Sequence, residues 1–143
     1  MRTPTGWQSH HILPRALGCH PQISPFLREL LPFGVALSGR DNILLLPAVE
    51  YIAAERGLAM HRGPHPRYSA VLTQRMERER QRHDAPHIAA ARVARLQRVM
   101  VRVLAGRGPR LLLLNQRDPM RLFSDYDALD AAINRLWSDA LIP

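Results

Sequence analysis

The sequence predicts an α+β domain in which short strands and loops come first and long helices follow. Three observations carry that expectation. The first 47 residues are rich in Pro and Gly and hold only short ordered signals. Two long stretches, from Pro66 to about His83 and from Pro86 to Ala105, repeat apolar residues at helical spacing. No aliphatic run exceeds four residues, as in Leu111 to Leu114, far short of the ~20 that cross a bilayer. At 143 residues the chain can bury ~68–70% of its unfolded surface and needs no disulfide framework. The lone Cys19 could not supply one, nor by itself a cysteine-type zinc site.

Taken in order, Trp7 to Leu13 suits a short extended segment that stops at Pro14. Ser24 is expected to cap a short helix with Pro25 at its first position, and Pro32 and Gly34 to end it. Ser38 to Asn42 is a turn cluster before a short buried strand, Ile43 to Leu46, that stops at Pro47. Ala48 to Arg56 reads as helix with Gly57 as its stop. Gly63-Pro64 and Pro66 exclude regular helix between Met60 and Pro66.

The helix from Pro66 turns Tyr68, Val71, Leu72 and Met76 inward. Its Arg75, Arg78, Arg80 and Arg82 alternate with Glu77 and Glu79 as an ion-paired, solvated face. In the next helix Ile88, Ala91, Leu96, Val99, Met100 and Val103 form the apolar side, closed by Gly106 and Gly108. Leu111 to Leu114 reads as a strand or an apolar extension. Ser124 is expected to cap a last helix running to about Trp137, with Asp125 and Asp127 in its first turn. Cys19 reads as a small buried side chain. His20, His83 and His87 have no partner motif and read as structural or solvated.

Charge narrows the partners. All 20 basic residues are arginine, against 12 acids, for a net +8. Residues 1–117 carry 18 arginines and 7 acids, whereas residues 118–143 carry 2 and 5. Guanidinium forks match phosphate oxygens bidentately, so the basic part suits nucleic acid or another polyanion, and the acidic tail does not. GC-rich coding produces the same lysine-free composition. Arg92, Arg95, Arg98 and Arg102 form a helical stripe with no acid interleaved, which makes it the candidate duplex-backbone contact or else a plain solvated face.

The chemistry concentrates in four histidines. His10-His11 are adjacent, and on an extended segment adjacent side chains point to opposite faces, so one can face a metal while the other faces water or substrate. His61 and His65 have the spacing of a helical ligand pair, but Gly63-Pro64 places them in a loop running into a helix start. That helix N-terminus favours an anion, and Arg62 and Arg67 flank it, so a phosphate could dock beside a metal held there.

Ser9-His10-His11-Ile12-Leu13-Pro14, then Asp41-Asn42-Ile43-Leu44-Leu45-Leu46-Pro47, then His61-Arg62-Gly63-Pro64-His65-Pro66-Arg67-Tyr68-Ser69 together resemble the HNH/endonuclease VII superfamily, and within it the AHH toxin-nuclease family. Ser9 stands where that family has alanine. The resemblance covers about residues 7 to 75. It implies a ββα-metal core, also called a His-Me finger, gripping one divalent ion (Zn, Mg, Mn or Ni). It implies His11 as general base, His10 as metal ligand, and Asn42 as the residue that orients the base and its loop. It also implies His61 and His65 on the helix side, at least one of them a ligand.

The expected domain is single, residues 1–143. Its core spans about 7–83, and a mainly helical extension spans about 84–143. The expected function is a divalent-metal-dependent endonuclease cutting DNA with little sequence specificity, since backbone contacts carry no base information. A ribonuclease of the same fold and a non-catalytic basic nucleic-acid or protein-binding module are the alternatives. The resemblance further implies a toxin module of a bacterial polymorphic toxin or secretion-system effector, with a cognate acidic immunity protein. Such a module is cytoplasmic in its producer and delivered to a target-cell cytoplasm, without a signal segment of its own.

Overall fold

Two short strands near the start of the chain fold onto each other. β1 (Trp7–His11) pairs antiparallel with β2 (Ile43–Pro47), setting His10 opposite Leu44 and His11 opposite Ile43. Gly6 turns the chain into β1 with φ 83, a conformation few other residues adopt. This is a computed structural model, and it describes residues 2–61, 65–107, 112–113 and 122–138. Between the strands lie α1 (Ile23–Leu30) and short 3₁₀ turns; after them come α2 (Glu50–Arg56) and β3 (Met60–His61). The long helices α3 (Pro66–Gln81) and α4 (Pro86–Arg102) follow, then β4 (Leu112–Leu113), parallel to β3, and α5 (Leu122–Trp137). Strands and helices thus alternate along the chain, and the expected block order of strands before helices does not hold. The mixed helix-and-strand class does.

The core is one continuous apolar cluster. Ile23, Leu27 and Leu30 on α1 recur at helical spacing, as do Tyr68, Val71, Leu72 and Met76 on α3. α4 contributes Ala89, Ala90, Val93, Leu96, Val99 and Met100, and α5 contributes Leu129, Ala132 and Ile133. Of the expected apolar face of α4, Leu96, Val99, Met100 and Val103 are buried, whereas Ile88 and Ala91 near its start point to solvent. The small Ala89 and Ala90 take their place and let α4 come close to its neighbours.

Other local expectations shift for equally local reasons. α1 begins at Ile23, so Ser24 falls inside it; the imidazole of His20 does the capping, with Nδ1 accepting from the backbone N–H of Ile23 at 3.2 Å and of Gln22 at 3.3 Å. β2 is half open instead of buried: Ile43 and Leu45 are 36% and 39% exposed, because only one partner strand and one face of the core cover it. Cys19 is free and exposed at the end of a 3₁₀ turn. α5 starts at Leu122, which puts Ser124 inside its first turn. Gly108, Leu111 and Leu114 lie outside the described residues.

A buried amide ties the strand pair to the rest. Asn42 is fully buried, and its Nδ2 donates to the carbonyls of Leu13 (3.0 Å) and Leu37 (2.8 Å). Its Oδ1 accepts from the N–H of Leu13 (2.7 Å) and from Nε2 of Gln97 on α4 (3.1 Å). Both amide hydrogens and both lone pairs are used. Asn42→Ala strands several buried partners at once, each worth about 1–3 kcal/mol when left unsatisfied. A loss of about 3 kcal/mol or more is expected from urea unfolding at unchanged slope. A loss below about 1 kcal/mol would show that the loop is held elsewhere.

Candidate metal centre

Strand alternation splits the adjacent histidines as their sequence implies. On β1, Ser9 is exposed, His10 is 1% exposed, and His11 is partly open. His10 faces inward toward two histidines from later in the chain. His61 ends β3, where pairing with Leu113 of β4 fixes its backbone. His65 immediately precedes α3 with φ −130 and ψ 76, outside helical geometry, and Pro66 then starts the helix.

The three rings stand at the corners of a nearly equilateral triangle. Centroids are 4.9 Å apart for His10 and His61, 5.0 Å for His10 and His65, and 4.9 Å for His61 and His65. One ring nitrogen from each lies within 4.8 Å of the others. Nε2 of His61 and Nε2 of His65 are 3.0 Å apart. Tyr68 forms a wall: its ring meets His10 and His65 edge-on at 4.8 and 5.1 Å, and its hydroxyl donates to the carbonyl of Ile12 at 2.6 Å.

The electrostatics favour neutral rings throughout. Burial, reinforced by the neighbouring histidines, lowers the pKa of His10 to about 2. Burial, then the charges of His65 and His11, lowers His61 to about 4. His65 is lowered by burial. Both nitrogens of His10, and Nδ1 of His61 and of His65, are buried without a hydrogen-bond partner. Buried imidazole nitrogens normally find one. Three neutral nitrogen donors converging on one point, with orphaned lone pairs, fit a divalent cation. Donors at ~2.0–2.1 Å in tetrahedral array lie about 3.4 Å apart, a spacing these rings can reach with small adjustments.

His11 sits beside this group on the other face of β1, partly open to solvent. Its pKa is lowered, first by burial and then by the charge of Arg15. Among the described residues nothing hydrogen-bonds its ring, and Asn42 is no exception: it holds the loop after His11 but makes no bond to His11 itself. Arg15, four residues further on, was not singled out from the sequence. Only its short separation from His11 across Pro14 hinted at it. Arg67 lies in the first turn of α3, partly exposed; Arg62 lies outside the described residues.

The arginine stripe on α4 is not a uniform cationic face. Arg92 pairs with Glu79 of α3 through Nε (2.6 Å) and Nη2 (3.0 Å), and its guanidinium stacks 5.2 Å from the Trp137 ring. Arg95 stacks on the same ring at 5.3 Å and donates to the Trp137 carbonyl at 2.5 Å. The missing acid is supplied by another helix, which the α4 sequence alone could not show. Arg98 is exposed and Arg102 partly so. Of the ion pairs expected with Glu77 and Glu79, Arg80 with Glu77 and Arg82 with Glu79 (3.8 Å) are present; Arg82 also meets Asp84 at 2.8 Å beyond the helix, and Arg75 reaches Asp130 of α5 at 2.8 Å.

The model of AHH, a nuclease family of the HNH/ENDO VII superfamily with conserved AHH, matches residues 1–101, so the chain belongs to this nuclease family. The match extends past the motifs and takes in nearly all of α4. No curated protein and no solved structure matches the chain. The mixed helix-and-strand make-up agrees with the superfamily, as does a nucleic-acid substrate; among the described residues no helix is long and apolar enough to cross a membrane.

Because these pKa values lie below the unfolded value of ~6.5, the unfolded chain binds more protons as pH falls. The stability tied to the neutral rings is complete above ~6.5 and declines below it. For His10 the slope is about 1.4 kcal/mol per pH unit. The urea midpoint of metal-free protein should therefore fall steadily from pH 7 to pH 5, and His10→Leu should flatten that fall. Zinc at a hundred times its Kd should raise stability at pH 7 by about 2.7 kcal/mol. The gain should vanish in the double variant His61→Ala, His65→Ala; its survival would place the ion elsewhere.

Proposed function

We propose that the protein is a divalent-metal-dependent endonuclease that hydrolyses DNA with little sequence selectivity, using a ββα-metal core made of β1, β2 and α3. One observation carries this reading: the triangle of His10, buried with both nitrogens unpartnered, and the part-buried His61 and His65, each with an unpartnered Nδ1, beside a fourth histidine. His10, His61 and His65 hold the ion. Three nitrogen donors without a carboxylate favour zinc or nickel over magnesium, which prefers hard oxygen ligands. When bound, the ion polarises the scissile phosphate and stabilises charge on the leaving 3′ oxygen.

The chain's own groups do the rest. His11, held neutral by burial and by Arg15, takes a proton from the water that attacks phosphorus as the bond to the 3′ oxygen breaks. Arg15 beside the base and Arg67 in the first turn of α3 offer cations to the phosphates on either side. The N–H groups of the first turn of α3 point the same way. These are backbone contacts and carry no base preference.

The protein is further read as the toxin module of a bacterial polymorphic toxin or secretion-system effector. It would act in a target-cell cytoplasm and be restrained in its producer by an acidic immunity protein. Support comes from the resemblance to toxin nucleases and from a net +8 that an acidic partner complements.

The test is cleavage of plasmid DNA and of RNA with each ion, with and without chelator. His11→Ala should lower cleavage by ~10²–10⁴-fold and keep its metal, whereas His10→Ala should lose both. Preference for RNA would reassign the substrate. Full activity of His11→Ala would remove it as the base, and chelator-resistant cleavage would end the metal-dependent reading.

A further inference from the structure

The described residues bury three polar side chains almost completely: His10 at 1% exposure, Asn42 at 0% and Gln97 at 5%. His10 belongs to the metal centre, and Asn42 grips the loop behind it. Gln97 sits on the inward face of α4 between Val93, Leu96 and Met100, where an apolar residue would suit the core better. Among the described residues its Nε2 donates to the Oδ1 of Asn42 at 3.1 Å.

That bond completes a chain leading to the active strand. Asn42 Oδ1 also accepts from the N–H of Leu13, and Asn42 Nδ2 donates to the Leu13 carbonyl. The N–H of Ile12 donates to the Asn42 carbonyl at 2.8 Å, and the carbonyl of Ile12 accepts from Tyr68. Every backbone polar group of Ile12 and Leu13, the two residues directly after His11, is thus anchored. The anchors come from Asn42 and α3, and Asn42 in turn is seated on α4. A catalytic group must be held within about 0.5 Å of its productive place, and a shift of about 1 Å can cost 10²-fold.

We propose that Gln97 is a positioning residue for the hydrolysis: through Asn42 and the backbone of Ile12 and Leu13 it fixes where His11 stands relative to the metal centre. The inference rests on the reading of His11 as general base. It also gives α4, which lies beyond the catalytic motifs, a part in the chemistry.

Gln97→Met keeps the length and bulk of the side chain but removes the donor. The expected result is kcat lower by about tenfold, with KM, zinc affinity and melting temperature nearly unchanged. Gln97→Glu can donate to Asn42 only when protonated. Its kcat relative to wild type should therefore rise as pH falls, a ratio in which the titration of His11 cancels. Wild-type kcat in Gln97→Met overturns the proposal. So does a parallel loss of kcat, zinc affinity and stability, which would mark a packing role. If Gln97→Met does not fold, a pH-independent ratio in Gln97→Glu overturns it. An inactive His11→Ala alongside a fully active Gln97→Met would sink this inference alone; a fully active His11→Ala would sink the reading beneath it.

Discussion

Three imidazoles packed against one another and against Tyr68, with both nitrogens of His10 and Nδ1 of His61 and His65 buried and unpartnered, are an unfavourable arrangement unless something takes up those nitrogens. Water would do so on the surface, but His10 is closed off by Tyr68 and by the strand that carries it. A proton cannot do so either, because burial and mutual repulsion drive the pKa of His10 to about 2 and that of His61 to about 4. A cation that accepts neutral nitrogen donors would satisfy them. The fold makes sense around that requirement. β1, the end of β3 and the start of α3 come from positions up to 55 residues apart and deliver one ring each to a single point.

The strand pair cannot hold that point by itself. A two-stranded sheet is only marginally stable in water, and here half of β2 faces solvent. The precision has to come from outside the sheet. It comes from polar anchors that reach the strand from helices: Tyr68 from α3, and Gln97 from α4 by way of Asn42. Apolar packing brings the helices together but is tolerant of small slides; saturated hydrogen bonds to a buried amide are not. The core therefore sets which elements meet, and the amide network sets where His11 stands.

The same division explains what could be read from the sequence. The meeting of His10 with His61 and His65 is an expectation that only the family resemblance supplies; what the residues themselves make legible is local, since strand alternation separates His10 from His11 and Gly63-Pro64 excludes a regular helix across His61 and His65. The helices α2 and α3, with Gly57 and Pro66 at their ends, were legible for the same reason. Contacts across long separations were not. The saturation of Asn42, which leaves it no bond for His11, depends on Gln97 at 55 residues' distance. The acid facing Arg92 is thirteen residues back, on another helix. The inward face of α4 is legible from Leu96 to Val103 but not at its start, where Ile88 looks like core until the burial of Ala89 and Ala90 is known. His20 replaced Ser24 as a cap because an imidazole nitrogen can accept the N–H groups that a serine hydroxyl usually takes.

Charge requires a similar correction before it is used to argue about substrate. A net of +8 suggests a surface covered in available cations, yet many of the arginines are already engaged within the fold. Arg75, Arg80, Arg82 and Arg92 face carboxylates, and Arg95 is bound to a carbonyl beneath Trp137. The C-terminal half of α3 is thus an ion-paired seam that helps hold α4 and α5, and its positive charge is largely answered by Glu77, Glu79, Asp84 and Asp130. The start of α3 is different. His65 and Pro66 bring the helix N-terminus against the metal centre, and Arg15 lies beside His11 there. On the proposed reading, the positive end of α3 and Arg15 lie where the histidines meet, so net charge alone does not say where a polyanion docks.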